Sequence, residues 1–481
     1  MSANALPLPP AFYLPLWNIL IPKDFLADAA PKIWTPLPLR FLLSFPVSEA
    51  AMLFQCLLRS VVHKGSLTLI AANGKTRTFG DGAPPRIVVK LHRRILEWSL
   101  GLNPDLKIGE AYMNGLLTIE EGDLYGFIHL LLSNYMETGD KSPFHWREHL
   151  YRYFIRLAQW NPIPRSWRNV AFHYDMPDEL YTFFLDRDRQ YSCAYFTDMG
   201  NSLEKAQEDK KRHIASKLGL NRSGLKVLDI GSGWGGLGLY LAAETGCRVK
   251  GITLSTHQYK ISNERVLAAG LGKRCSFDLR DYRQETALYD RIVSVGMFEH
   301  VGKKNYDEFF AQVQRLLAED GVCLIHSIGR YGEPKPINSF IRKHIFPGAD
   351  LPTLSEVMDS VDRSGLFVTD VEILRLHYAE TLKRWTERLR ARRNEVVALF
   401  GETLYRKWEF YFTSCEAGFR LGNIMVFQLQ LTKQLETLPL TRDYMLDWER
   451  AQKIESPAIE RYVGAIASAS ASLRGRNIGK G

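Results

Sequence analysis

"VLDIGSGWGGLGLYLA", residues 227–242, is the stretch on which the fold turns. It opens as a short apolar strand, places Gly231, Gly233 and Gly235 directly after it, and runs on into a helical pattern. Glycine tolerates positive φ and lets a ligand approach the backbone closely, so this order describes a binding loop; the bland alternative is a tight turn with no ligand. The spacing is GxGxG, not the GxGxxG of dinucleotide-binding loops. Asp229, just ahead of the first glycine, would repel a pyrophosphate but suits the ammonium of an amino-acid moiety, held through bridging water. That tilts the expected ligand toward S-adenosylmethionine.

On either side of the loop the chain alternates strand and helix. "LKVLDI", "CRVKGITL", "RCSFDL", "DRIVSVGM" and "GVCLIHSI" are short Val/Ile/Leu runs suited to a sheet buried on both faces. Amphipathic stretches such as "THQYKISNERVLAAG" separate them, which is the rhythm of a doubly wound parallel sheet. Strand two ends in "GITLSTHQ", offering Thr253 and Gln258 where many such sheets place a ribose-binding acid, and Asp281 and Tyr282 follow strand three, where they can flank an adenine. The first half reads differently. "SLTLIAANGKTRTFGDG" predicts two strands around an "NGK" turn, "PRIVVKLH" a third, and "RRILEWSLGLNPDLKIGEAYMNG" helices, in a small α+β domain that ends near Asn134 and leads into a helical linker. The Pro-containing "QWNPIPRSWRN" marks the boundary, giving domains at 1–160 and 161–481.

A chain of 481 residues with 46% hydrophobic content is globular and long enough for two or three domains. Its formal charge of +9 favours an anionic partner, either nucleic acid or a membrane surface. The six cysteines are scattered, with no CxxC pair and no zinc-like His spacing, so no metal site and a reducing, cytoplasmic setting are expected. The N-terminus lacks the pattern of a signal peptide. The greasy "LRFLLSFPVSEAAMLFQCLL" is interrupted by Pro46 and Glu49, so no membrane-spanning helix is expected. The small, polar C-terminal tail is expected to fray.

"HYDMPDELYTFFLD", "YSCAYF", "VLDIGSGWGG", "GITLS", "DRIVSVGMFEHVG", "LIHSIG", "FIRKHIFPGADLPTLSEV" and "LHYAETLKRW" occur in this order. With them the chain resembles the cyclopropane-fatty-acyl-phospholipid synthases and their mycolic-acid relatives over most of residues 66–432, and "GEAYMNG" resembles the extra N-terminal domain of the phospholipid-acting branch. The resemblance implies an α/β fold of the class I methyltransferase type, Rossmann-like, with a mostly parallel seven-stranded sheet beside the smaller α+β N-terminal domain. It implies transfer of a methylene from S-adenosylmethionine to a cis double bond of unsaturated phospholipid acyl chains, with bound bicarbonate as the base. Carried over residue by residue, the anion-binding catalytic set falls on Cys193, Glu299, His326, Ile328 and Tyr378, and the cofactor contacts on Tyr191, Ser192, Gly231, Gly233, Thr253 and Gln258. Two departures stand out: Pro177-Asp178 replaces the Gly-Asn of many phospholipid-acting members, and some 65 residues precede the first matched strand.

The chemistry agrees with those residue types. An alkene attacking a sulfonium methyl leaves a carbocation, and ring closure then removes a proton from the added methyl. A bare carboxylate beside a sulfonium risks methylation, so Glu299 reads as the holder of the base, with His326 a second hydrogen-bonding partner. Aromatic faces tolerate transient positive charge, and Tyr191, Tyr195, Phe196, Phe298 and Tyr378 supply them. Read alone, Glu299 is a polar residue ahead of a helix, His326 a satisfied core histidine, Cys193 a small buried hydrophobe, and Tyr378 a packing residue. His300 is expected only to orient its loop. "RLRARR" (388–393) reads as a solvated helix face, with headgroup binding the lesser alternative.

The expected enzyme works at the inner face of the membrane as a peripheral protein, and a homodimer stays open. Related activities that give a methyl-branched chain or methylate a small amine stay open too, as does a lipid-binding or transfer protein with a silent methyltransferase domain. Nucleic acid is not expected as the partner, because no NPPY-like tetrapeptide or Pro-Cys nucleophile follows strand four.

Overall fold

The structure, a computed structural model, describes residues 47–138 and 177–451. The first part contains α1 (Val47–Val61), β1 (Ser66–Ile70), β2 (Thr76–Gly80), β3 (Arg86–Leu91), α2 (Ile95–Leu102), α3 (Pro104–Met113), β4 (Leu117–Glu121) and α4 (Leu124–Thr138). Gly74, at φ +79°, makes the "NGK" turn that folds β2 back antiparallel on β1; β3 then pairs with β1 in parallel, and the sheet order is β2-β1-β3-β4. The predicted strands and helices of this region are all present. The proposed boundary at 159–169, the linker before it, the residues before α1 and the C-terminal tail lie outside the described residues.

The second part runs α5 (Asp178–Tyr181), α6 (Leu203–Lys217), β5 (Lys226–Ile230), α7 (Gly236–Glu244), β6 (Arg248–Thr253), α8 (Thr256–Ala268), β7 (Cys275–Leu279) and β8 (Tyr289–Val295). It continues with α9 (Tyr306–Leu316), β9 (Leu317–Arg330), α10 (Ser339–His344), α11 (Leu354–Ser364), β10 (Phe367–Ile373), α12 (His377–Ala391), α13 (Arg393–Phe400), α14 (Glu402–Leu421), β11 (Ile424–Thr432) and α15 (Asp443–Ala451). Seven strands form one sheet in the order β10-β11-β9-β8-β5-β6-β7. All five predicted strands pair in parallel, and only β11 runs antiparallel to its neighbours. Strand order reverses at β5, between β8 and β6, so the crevice at a doubly wound sheet's switch point opens beyond its carboxyl end. This is the expected α/β fold.

Apolar side chains cover both faces of the sheet. Val227, Val249 and Phe277 pack with α6, α7 and α8 on one side, and Ile292, Phe309 and Phe310 pack with α9 and α11 on the other. A third core joins Leu67 and Val89 of the small sheet to Trp385, Trp408 and Phe412 of α12 and α14. The contact is specific. Gly109 of α3 leaves room for the Phe340 and Phe410 rings, and the Tyr112 hydroxyl donates to Glu409 at 2.7 Å. Glu110 accepts from Lys343 at 2.9 Å and lies 3.0 Å from His344. No described helix is long and apolar enough to cross a membrane.

The sheet's tightest point is Gly251 in β6, where a Cβ would run into the Phe277 ring and lie 2.8 Å from the Ser232 Cβ. Overpacking a close-packed core costs about 1–3 kcal/mol. Gly251→Ala is therefore expected to lower the unfolding free energy by that amount, seen as a lower denaturant midpoint at unchanged slope in urea unfolding followed by circular dichroism.

Candidate functional site

Beyond the carboxyl ends of β5, β6, β7 and β8 lies a cleft of about 1320 Å³, measured to its open mouth. Gly231 and Gly235 both sit at φ +82°, and a Cβ on Gly231 would lie 2.8 Å from the Met297 side chain. The loop needs glycine both for its backbone and for its clearance. Tyr191, Ser192, Asp229, Gly231, Gly233, Thr253, Gln258, Asp281 and Tyr282 all line this one cleft. Thr253 Oγ1 donates to Gln258 Oε1 at 2.8 Å, which fixes both at its β6 side. Asp281 is clasped by Arg283 at 2.8 and 2.7 Å. Asp229 is buried, its Oδ2 accepts no hydrogen bond, and burial pushes its carboxyl up to about 7 against the pull of Lys210.

Glu299 and its neighbour His300 part company at the end of β8. The His300 ring lines the cleft beside Val301, and burial pushes it down to about 4. Glu299 does not line the cleft. Its Oε1 accepts the Ile328 N–H at 2.7 Å, and its Oε2 is buried without a hydrogen-bond partner. Burial raises it to about 7, only partly offset by the Ile328 N–H. The Ser327 hydroxyl donates to the Ile328 carbonyl at 3.1 Å, and from there it lowers the Glu299 carboxyl less than the Ile328 N–H does.

His326 and Ile328, two apart on β9, share a face of the strand. Gln428 Nε2 of β11 lies 3.2 Å from His326 Nδ1. With the amide donating, Nδ1 is the acceptor, and burial pushes the ring down to about 3, so a neutral imidazole carries its proton on Nε2. Tyr378, at the start of α12, is buried within electrostatic range of both Cys193 and Glu299. The Cys193 thiol donates to the Ala194 carbonyl at 3.3 Å, and burial raises it far above the ordinary thiol range. Cys193 thus stays a neutral thiol.

Two sets of contacts bear on the sequence picture. The Ile328 N–H, expected in the anion-binding set, donates to Glu299 Oε1 at 2.7 Å and so holds that carboxylate. On the "RLRARR" face Arg388 pairs with Glu204, Arg390 with Glu409, Arg392 with Glu395 and Arg393 with Glu402, as a solvated helix face would. The aromatic expectation also divides. Tyr191 and Tyr378 join one cluster with Tyr181, Phe184, Trp385 and Trp408. Tyr195 instead stacks between His213 and His377, at 4.1 and 4.8 Å, with Phe196 beside it. Phe298 points into the core under β8 against Tyr306, Phe309 and Phe310. The departure at Pro177-Asp178 is accommodated: Asp178 pairs with Arg189 at 3.1 Å and with His257 at 2.6 Å.

Sequence reasoning missed the residues behind the glycine loop. Asp188 takes Lys211 at 2.6 Å, Gln190 at 3.0 Å and also Arg265, all buried. Lys210 lines the cleft and donates to Gln190 Oε1 and Ser192 Oγ, both at 2.8 Å. The charge run "EKAQEDKKRH" reads as a solvated helix face; its one inward signal is the spacing of Leu203, Ala206 and Ile214.

Residues 163–429 match the mycolic acid cyclopropane synthetase family. Cyclopropane-fatty-acyl-phospholipid synthase of Escherichia coli K12 is 36% identical over 373 residues, covering 76% of this chain and 91% of that protein. Tuberculostearic acid methyltransferase of Mycobacterium tuberculosis is 33% identical over 401 residues, covering 80% and 92%. Among solved structures, mycolic acid cyclopropane synthase CmaA1 in complex with SAH and CTAB is similar at a TM-score of 0.53 and 35% identity, over 57% of this chain and 99% of that one.

A carboxyl raised by burial from its ordinary 4.5 to about 7 costs stability when charged. The stabilisation is whole below the unfolded value and is lost as pH rises through the folded one, so Glu299 weighs on the fold above pH 7. Glu299→Gln, which keeps an acceptor for Ile328, is expected to raise stability at pH 8 by on the order of 2–3 kcal/mol, a gain that fades toward pH 4.5. Thermal melts of both proteins across that range check it.

Proposed function

The chain belongs to the mycolic acid cyclopropane synthetase family, and from that premise we propose that this S-adenosylmethionine-dependent methyltransferase is a cyclopropane-fatty-acyl-phospholipid synthase, building its ring on cis double bonds of unsaturated acyl chains. The observation that carries the reading is a juxtaposition. A glycine-walled cleft lies beside a buried carboxylate with an unclaimed oxygen, and that carboxylate is in range of Tyr378 in an aromatic cluster.

The cleft suits the cofactor. Asp229 offers an unpartnered carboxylate oxygen, Gly231 and Gly233 give close backbone approach, and Ser192, Thr253, Gln258, Asp281 and Tyr282 would hold the rest. When bound, S-adenosylmethionine supplies an electrophilic methyl, which an alkene captures to leave positive charge on its second carbon and a proton to be removed for ring closure. The rings of Tyr191, Trp385 and Tyr378 provide faces that tolerate that charge in a dry setting. Tyr378 itself stays neutral, since burial holds its hydroxyl well above the ordinary range.

For the base we propose bicarbonate. The unclaimed Oε2 of Glu299 can accept its O–H, and the Nε2–H of neutral His326 can donate to its oxyanion. Tyr378 and the backbone at Cys193 complete the set, while Ile328 acts through Glu299. Glu299 thereby grips the base without exposing itself to the electrophile. The formal charge of +9 supports docking on an anionic membrane surface. A methyl-branched product is the second reading, favoured by the likeness to tuberculostearic acid methyltransferase.

The test is the lipid mass spectrum of a host expressing the protein. Unsaturated chains are expected to gain one CH₂, and gas chromatography against standards then separates ring from branch; unchanged lipids would overturn the reading. Glu299→Gln is expected to lower turnover ~10²-fold while leaving cofactor affinity intact. Binding to vesicles rich in anionic phospholipid is expected to weaken between low and high salt, as flotation measures it.

A further inference from the structure

Lys210 is the unusual cation of the cleft. It stands in the middle of α6, 1% exposed, and reaches the cleft wall, where it donates to Gln190 Oε1 and Ser192 Oγ at 2.8 Å each. Both acceptors are neutral, and an ammonium has a third proton to give. The other basic groups nearby have carboxylates: Lys211 and Arg265 share Asp188, Arg189 has Asp178, Arg280 has Glu285 and Arg283 has Asp281. No carboxylate among the described residues forms an ion pair with Lys210.

A buried ammonium with neutral partners is under-compensated. Burial accordingly drags Lys210 down to about 8. The charges of Asp186 and Asp188 offset this only in part, and neither forms an ion pair with it. Cys193 is held as a neutral thiol, and Asp186, itself raised by burial and by Asp188, receives the N–H groups of Asp188 and Gln190 at 2.9 and 2.8 Å. Asp229 lines the same cleft with a buried carboxylate oxygen that no donor reaches, and the pull of Lys210 offsets its burial only in part, without an ion pair between them. A cation short of an anion beside an anion short of a cation is complementary to a ligand that carries both on one carbon, an α-amino acid.

Resting on the reading of this cleft as the S-adenosylmethionine site, we propose that Lys210 binds the cofactor's α-carboxylate, with Ser192 and Gln190 orienting it and Asp229 taking the α-ammonium. Lys210 is a binding residue and takes no part in proton removal. Its position would favour whole S-adenosylmethionine over forms lacking the carboxylate.

The experiment is calorimetry on the full chain with S-adenosylmethionine and with decarboxylated S-adenosylmethionine, which keeps the adenosyl sulfonium and the amine. Wild type is expected to prefer the carboxylated ligand by ~10–100-fold, the worth of one charge-assisted hydrogen bond. Lys210→Gln is expected to bind the decarboxylated ligand as wild type does and to lose most of the preference; Lys210→Arg, which keeps the charge, is expected to retain it. A preference that survives in Lys210→Gln overturns the proposal, and so does a wild type that binds both ligands within twofold, whether or not the variants fold. A wild type that binds neither ligand overturns the cofactor reading itself, and the assignment of Lys210 with it.

Discussion

Asp188 holds the site together. Its carboxylate, buried behind the glycine loop, gathers Lys211 from α6, Arg265 from α8 and Gln190 from the segment that leads to Ser192. Arg265 also donates to the Trp234 carbonyl inside the glycine loop at 2.5 Å, and Gly236 is bare because Asp188 and Gln190 occupy the space a Cβ would need. Four separate pieces of chain are thus fixed around one anion. Removing one partner of such a buried set leaves the others charged and unpaired, at about 3–5 kcal/mol. The cleft has its shape because that cost is avoided.

From this anchor the molecule separates two environments a few residues apart. The cleft side sets glycine backbone and polar side chains among apolar ones, the side reached through Glu299, Tyr378 and Trp385 is aromatic, and Tyr191 touches both. The turn after β8 divides them, sending His300 to one and Glu299 to the other. In the reaction proposed above, water would quench a carbocation, yet a zwitterionic cofactor would need polar partners. Placing consecutive residues on opposite sides of one short turn meets both demands.

The sheet and the glycine loop were legible in the sequence because their signals are local: a run of β-branched residues, then glycines whose dihedrals no other residue adopts cheaply. The seven cofactor-contact candidates from Asp229 to Tyr282 reach one cleft for the same reason, since strand ends in such a sheet are collected by topology, while Tyr191 and Ser192 arrive from the segment ahead of α6. What was not legible depends on partners distant in sequence. Lys210, Lys211 and Asp188 look solvated in a window of ten residues and become buried only when α6, α8 and the 186–192 segment meet. The arginines of 388–393 look free until Glu204, Glu402 and Glu409 are placed beside them. The inward turn of Phe298 and the outward turn of His300 depend on the tight geometry of residues 296–301, which no periodicity encodes.

The seam between α3 and the pair α10 and α14 bears on how the chain is divided. Phe340 and Phe410 lean into the gap left by Gly109, Lys343 and His344 look to Glu110 for a partner, and Glu409 takes the Tyr112 hydroxyl beside its pairing with Arg390. The N-terminal sheet is therefore no detachable accessory. Cutting it away would turn an internal aromatic layer into a sticky outer face with its charges unanswered. Autonomy of the remaining half would have to be acquired by rewriting the surfaces of α10 and α14, and deletion alone would not confer it.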